Sequence, residues 1–479
     1  DPMKRTLVLA AAAALAFPTA PVGAQVPDLT RETAQARTVL ASQPMTRALE
    51  YLRSARDETV REWLSLCEAY GPSGGEEPRA QLIYRLFRMY GLQEVRIDDA
   101  FNVIGVRHGT GGGPTVVLDA HHDNVPLMPE GQPIAAFEAD GRVWCPAAGD
   151  DLMGVTQLLT VLRAMNAADL RTRGDVWFVT VSGEEAPTGP SHPDASPGME
   201  LFVRSNYPTN LDWARGDIIV QFHGQGGAGV ATGSIPVRNR SQLRMFADFD
   251  RDRWAPHAVD ALARAIVRIG REVRDPRSTD IAFATGPDNH PTGPVLYLNM
   301  GMIQASEIIA RPASEAWVRF DMRADTEARL DEAHAAIRNI AAEVSAEMGE
   351  GFSFAYDINS RNGREQPIAG WSQVDNAPAR MAAAAASVLY GGTPVIDSTS
   401  GCGDCVRAYR GGMPAFSFAG SVVDYDDGRF EVRRGPVTTS ATRVASASHD
   451  VTESAEIVRV WAGVKQALLF TVTYTGLAR

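Results

Sequence analysis

Residues 116–126 read VVLDAHHDNVP, an apolar, β-branched run that ends on two adjacent histidines and an aspartate. With Gly113 and Pro114 ahead of it, the run reads as a strand. Its surroundings set the fold. Upstream, EVRIDDAFNVIGVRHG (94–109) alternates as strands do. Downstream, DDLMGVTQLLTVLRAMNAA (150–168) reads as a helix, while GDVWFVTVSGEE (174–185) and GDIIVQFHG (216–224) read as strands. Strands alternating with helices predict an α/β domain, its mostly parallel sheet covered by helices on both faces. Ahead of this unit the apolar spacing is helical: residues 37–70 read as two helices, and 76–92 as another closed by Gly91.

Between residues 232 and 362 the pattern restarts on a smaller scale. SQLRMFADFD (241–250), VLYLNMGMI (295–303), EAWVRFDMRAD (315–325) and GFSFAYDINSR (351–361) read as strands. HAVDALARAIVRIGREV (257–273) and residues 327–348 read as helices, giving a ferredoxin-like βαββαβ module. Helix and strand patterns then resume at 381–392, 414–421 and 453–477. The expected organisation is therefore a main domain in two parts, 25–231 and 363–479, with residues 232–362 inserted between them.

The chain has 479 residues, 44% of them hydrophobic, enough for a large core, and a formal net charge of -12. That acidity argues against a nucleic-acid surface, which needs clustered Lys and Arg. After an Asp-Pro prefix, Met3-Lys4-Arg5 precedes the apolar run TLVLAAAAALAF, and small residues follow at Val22-Gly23-Ala24. This is a signal-peptide pattern, predicting residues 1–24 to be a targeting segment cleaved near Ala24 and the protein to be periplasmic or secreted. The run is short for a bilayer span and no other stretch reads as one, so no stable membrane insertion is expected after cleavage. Four cysteines, Cys67, Cys145, Cys402 and Cys405, imply no dependence on a disulfide scaffold. Cys402 and Cys405 stand at C-x-x-C spacing without the second pair a zinc knuckle needs, which leaves a local disulfide or two thiols.

Acidic and histidine residues recur where the predicted strands run out: His121-His122-Asp123, Asp150-Asp151, Glu184-Glu185, Asp217 and, far downstream, His449. In open parallel sheets the carboxyl ends of the strands form the binding crevice. Nitrogen and oxygen donors without thiolates suit zinc, manganese or cobalt in a hydrolytic site. Two such cations repel each other and need a bridging carboxylate, and a further carboxylate must take a proton from the attacking water. The doublet Glu184-Glu185, directly after a strand, suits a division between base and ligand, because neighbouring residues point different ways.

In this order the residues resemble the two-metal peptidases of family M20. The likeness extends to CEAYGPSGGEEPRAQLIYRLFRMYGL (67–92), DDAFNVIGVRHG (98–109), the inserted module and GGMPAFSFAGS (411–421). The resemblance implies two divalent metal ions, zinc foremost, with cobalt or manganese as alternatives. His121 and Asp217 would hold one metal, Asp150 would bridge, and Glu185 with His449 would hold the other. Glu184 would be the general base, and Asp123 would hold the His121 ring. The Asp150–Asp151 bond would be cis. The inserted module would be a lid or dimerisation domain, which leaves a homodimer open. The implied reaction is attack on an amide by a metal-bridging hydroxide in a small peptide; an N-acyl amino acid deacylase, or a non-catalytic binding protein on the same fold, are the alternatives. A related aminopeptidase family with the same residue order generally lacks the insertion, whereas 232 positions separate Asp217 from His449 here.

Some positions depart from that family. Leu152 stands where a lysine is usual, and His223-Gly224 stands where an acidic residue often follows the strand. His223 could reach the metal site or pack against it. No Gly-His-Ser phrase supplies the usual oxyanion histidine; His257, His290, Arg244, Arg251 and Arg253 are the candidates to replace it.

Side chains alternate across a strand, so His121 and Asp123 share one face and His122 points to the other. His121→Ala should abolish metal binding while His122→Ala spares it, as read by metal analysis of the purified variants. The reverse result would mean that the strand presents its opposite face to the site.

Overall fold

The structure is a computed structural model that describes residues 28–125, 134–185, 197–205, 211–222, 230–231, 237–248, 257–274, 296–305, 312–324, 327–362, 376–391, 396–397, 403–418, 423–426, 429–432 and 453–478. The expected targeting segment, 1–24, lies outside the described residues. Among the described residues, no helix is long and apolar enough to cross a membrane.

An eight-stranded mixed sheet organises the main domain. Its order is Gln93–Ile97, Val103–Arg107, Val176–Val181, Val116–His121, Ile218–Phe222, Ala415–Phe418, Val230–Ala231 and Ile396–Asp397. The four central strands from Val176–Val181 to Ala415–Phe418 are parallel. Alternation along Val116–His121 explains why both faces are covered. Val116, Leu118 and Ala120 enter a core with the buried helices Leu152–Ala167 and Ile457–Thr475. Val117 points the other way, into a second core with Met199, Phe202 and Ala408. A strand buried on both faces reads as the near-continuous apolar run found in the sequence.

The N-terminal helical region differs from its reading as two helices over 37–70. It forms Thr30–Leu40, Gln43–Ser54 and Arg56–Glu68. The break at Ala41 is fixed by Ser42, whose side chain caps the next helix by accepting from the Met45 N–H, with Pro44 in the first turn. Gly91, at φ +77°, ends Glu77–Met89 as expected.

The inserted module is a four-stranded antiparallel sheet, ordered Leu296–Gln304, Glu315–Ala324, Val237–Ala247, Phe352–Asn362. Helices Ala258–Glu272 and Glu327–Met348 supply Ala261, Leu262, Ala265, Ile269, Leu330 and Ile337 to a core of its own. Leu243, Met245, Val318, Phe320 and Met322 meet them from alternate strand positions.

A three-stranded sheet, Ser454–Glu456, Arg142–Trp144 and Phe137–Ala139, ties the last part of the chain to the segment before Asp150. In the same segment Cys145 is joined by a disulfide to Cys67, 78 residues earlier. Cys405 is also disulfide-bonded. The Cys67–Cys145 pairing is not anticipated from the sequence: both residues are buried, and the bridge fastens helix Arg56–Glu68 to the Asp150 segment. A cross-link closing a loop of this length is worth on the order of 2–4 kcal/mol. Replacing Cys67 and Cys145 together by alanine should lower the urea unfolding midpoint correspondingly; an unchanged midpoint would show that the bridge contributes nothing to stability.

Candidate metal centre

His121 is the last residue of its strand and lies level with Val181 of the parallel neighbour. Three residues beyond Val181, the turn through Gly183 (φ +66°) presents Glu184 and Glu185 at the same sheet edge. Asp150 arrives from the other side, just ahead of helix Leu152–Ala167, where Asp151 is the N-cap and accepts from the Gly154 N–H at 3.2 Å. The Asp150–Asp151 bond is cis.

One ligand atom each from His121, Asp150 and Glu185 lies within 4.8 Å of the others. His121 Nε2 is 3.1 Å from Asp150 Oδ1, and His121 Nδ1 is 3.4 Å from Asp123 Oδ1. Burial alone would depress the imidazole pKa, but Asp123 and Asp150 outweigh it and hold it well above the ordinary value. The carboxylates thus favour positive charge at this point. One buried imidazole with two carboxylates, and no thiolate, is a donor set that fits zinc or another first-row divalent cation.

Asp123 holds more than the histidine ring. Its Oδ2 accepts from Ser73 Oγ at 2.6 Å and from the Glu185 N–H at 2.9 Å, and its Oδ1 accepts from the Glu184 N–H at 3.0 Å. These bonds, with His121 beside it, keep the Asp123 pKa at about 2 although burial pushes the other way. His122 faces away, its ring fully buried, and burial pushes its pKa down to about 3. It is a neutral packed imidazole and is not one of the grouped ligands.

Asp217 is not at this site. It precedes Ile218, which pairs with Val116, so it stands at the opposite end of the sheet from His121. At about 3.3 Å per strand residue, the two are roughly 20 Å apart. Its carboxylate accepts from the Thr115 N–H at 2.7 Å and the Asp212 N–H at 2.8 Å, and pairs with Arg215. Asp217 is therefore a structural residue that joins two strand starts, and the expected ligand role is overturned. His449, His223, His290, Arg251 and Arg253 lie outside the described residues. His257 is the N-cap residue of its helix, its N–H donated to Asp260 at 2.6 Å, and Arg244 pairs with Asp357 at 2.7 Å.

Sequence reasoning passed over several supports. Glu453 Oε1 accepts from both the Gly149 and Asp150 N–H groups, at 2.7 and 2.8 Å, and so fixes the loop that carries Asp150. Arg79, fully buried, donates to the carbonyls of Leu66, Ala69, Gly71 and His122 and to Asn124 Oδ1, clamping the chain on either side of Asp123. An arginine inside the apolar pattern of Glu77–Met89 was the available signal, because such a charge stays buried only when its donors are used. Arg407 Nη1 stands 3.4 Å from Glu184 Oε1. Asp119, two residues before His121, is buried, and burial with the neighbouring Asp404 pushes it well above the usual carboxylate range.

The family model described as Peptidase family M20/M25/M40 matches residues 117–429. A cysteinylglycine-S-conjugate dipeptidase from Corynebacterium striatum is 28% identical over 238 residues, covering 45% of this chain and 48% of that protein. The chain thus spans about half the length of that relative, and about a quarter or less of three further curated relatives that it matches. Human carnosine dipeptidase 1 superposes with a TM-score of 0.63 at 11% identity, covering 90% of this chain and 98% of that one. The dipeptidase Dug1p from Saccharomyces cerevisiae gives 0.61 at 13% identity, with coverage of 90% and 98%. At such identities the likeness shows the fold.

Asp217→Ala should leave metal content unchanged while destabilising the protein. The Thr115 and Asp212 N–H groups lose their acceptor, and the buried Thr115 group left unsatisfied costs about 1–3 kcal/mol. Metal analysis and denaturant unfolding of the same preparation read both effects, and loss of metal from the folded variant would restore Asp217 as a ligand.

Proposed function

We propose that this chain, which belongs to peptidase family M20/M25/M40, is an exported metal-dependent hydrolase of amide bonds in small peptides. The observation that carries the reading is the convergence of His121, Asp150 and Glu185 on one point while Glu184 stands beside them, paired with Arg407. Adjacent glutamates so divided give one ligand and one base that does not bind the metal. A divalent cation held by the first three would polarise a substrate carbonyl and acidify a water. Glu184 takes the proton of the attacking water and returns it to the departing amine nitrogen as the C–N bond breaks. Asp123 fixes the direction of His121 and, through the backbone N–H groups, of both glutamates.

Two cations, zinc foremost, are part of the proposal, and Asp150 would be a ligand to both. The strand Ile218–Phe222 ends at the His121 edge of the sheet, and His223 is its next residue in sequence. With Asp217 excluded, we assign the donor from this strand to His223. We assign His449 to the set as well; Glu453, four residues later in sequence, docks on the Asp150 loop, which is in keeping with that assignment. A peptide substrate accords with the dipeptidase relative. Export accords with the N-terminal pattern and with disulfides at Cys67–Cys145 and Cys405, which belong to oxidising compartments.

The test is hydrolysis of a panel of free dipeptides and N-acyl amino acids, before and after removal of metal by a chelator and readdition of zinc. Free dipeptides should be cleaved, with activity lost and regained alongside the metal. Cleavage of N-acyl amino acids alone would make it a deacylase, and metal binding without turnover would make it a binding protein. Glu184→Gln should keep its metal and lose at least about 100-fold in kcat; an active Glu184→Gln enzyme would exclude this glutamate as the base.

A further inference from the structure

The segment opposite the active-site glutamate is the turn and short helix at Gly403–Arg410, which the reaction as derived above leaves unused. Three of its features converge on Glu184. Arg407 Nη1 lies 3.4 Å from Glu184 Oε1, with 10% and 15% of the two side chains exposed. Gly403 is packed so closely that a Cβ there would fall 2.3 Å from the same Oε1. Arg407 Nη1 also reaches the Gly403 carbonyl, at 3.4 Å, so the guanidinium bridges the turn and the carboxylate.

The seat is itself anchored to the centre of the sheet. Gln221, buried on the Ile218–Phe222 strand, donates to Asp404 Oδ2 at 3.2 Å and accepts from the Cys405 N–H at 3.1 Å. Gln221 pairs with Asp119 of the strand that carries His121. Cys405 is fastened by its disulfide, and Ala408 sits in the core between the sheet and Phe202. The position of Arg407 is thus set by the strand neighbouring the metal ligands.

We infer that Arg407 and the Gly403 backbone together form a seat that aims the Glu184 carboxylate, with Arg407 acting as a positioning residue. The inference rests on the reading of Glu184 as the base. An unheld glutamate samples many rotamers, and ordering such a side chain costs up to about 2 kcal/mol. A base that must collect a proton from water and deliver it to a leaving amine needs one orientation. Arg407 supplies it with a guanidinium at Oε1, and Gly403 leaves beside the same oxygen the room that any larger residue would fill.

The experiment compares Arg407→Ala, Arg407→Lys and Gly403→Ala with the unaltered enzyme on the dipeptide it cleaves best, together with metal content and the rate at which a water-soluble carbodiimide modifies Glu184. Arg407→Ala and Gly403→Ala should each lose about tenfold or more in kcat, with KM and bound metal unchanged. Arg407→Lys should recover most of the loss, and Glu184 in Arg407→Ala should be modified several-fold faster. Unchanged kcat and labelling in Arg407→Ala would overturn the inference, as would a rise in KM alone or loss of metal. If the unaltered enzyme cleaves nothing on the panel, the hydrolase reading fails, whereas the labelling rates still decide whether the seat exists.

Discussion

The Asp123 carboxylate is the constraint on which the site depends. Its two oxygens accept from the Ser73 hydroxyl and from the N–H groups of Glu184 and Glu185, and Oδ1 faces His121 Nδ1. Three separate stretches of chain are thereby held to one buried anion. The strand supplies His121, the turn after the next parallel strand supplies the two glutamates, and the loop after helix Arg56–Glu68 supplies Ser73. A charge-assisted bond is stronger than a neutral one, and a buried carboxylate loses heavily if any of its donors is absent. The turn Ser182–Glu185 therefore cannot shift without uncovering Asp123, which makes the separate placement of Glu184 and Glu185 a property of the backbone.

So much negative charge in a dry place needs cations that arrive from fixed positions. Arg79 is fully buried near Asp123, and burial lowers its pKa to about 10 although Asp123 and Glu76 pull it up. It remains charged at neutral pH and spends its donors mainly on carbonyl oxygens. Arg407 stands next to Glu184. His121 is flanked by Asp123 and Asp150, which raise its pKa against the effect of burial. The centre is thus a local excess of anions, balanced at its rim by arginines, which is the electrostatic form of a cation site. Asp119 and Asp151 do not add to that excess in the same way: burial pushes both well above the usual carboxylate range and so favours their uncharged form.

Most of the fold was legible because it follows from period. The β-branched run at 116–121, the helix at 152–167 and the restart of the pattern near residue 241 declare a parallel sheet and an inserted βαββαβ unit through spacing alone. The family pattern then placed His121, Asp150 and Glu185, which the structure brings together. The break at Ala41–Ser42 was hidden because helical spacing continues across it, while the cap that makes it is a single hydroxyl. Asp217 misled for a related reason. It abuts a strand that runs toward the site, but it lies at the start of that strand, and sequence proximity does not say which end faces the crevice. Register does, and register comes from the pairing of Ile218 with Val116. Glu453 and Arg407 were illegible because each acts on a partner more than 200 residues away, across the inserted module, and neither belongs to a local pattern.

Those long-range contacts determine how the centre is assembled. The Asp150 loop is gripped from the N-terminal side by the Cys67–Cys145 bridge and by Trp63, whose indole N–H donates to the Ala148 carbonyl at 3.2 Å. From the C-terminal side it is gripped by Glu453 and by the pairing of Ser454 with Trp144. Arg142 reinforces that junction with bonds to the Ser454 hydroxyl and carbonyl and to Glu456. The N-terminal part alone could form the His121 strand and the Asp150 helix, yet Gly149 and Asp150 would present two N–H groups with no acceptor. Only when the chain returns after the insertion does Glu453 cover them. The site is therefore a product of the whole main domain closing on itself.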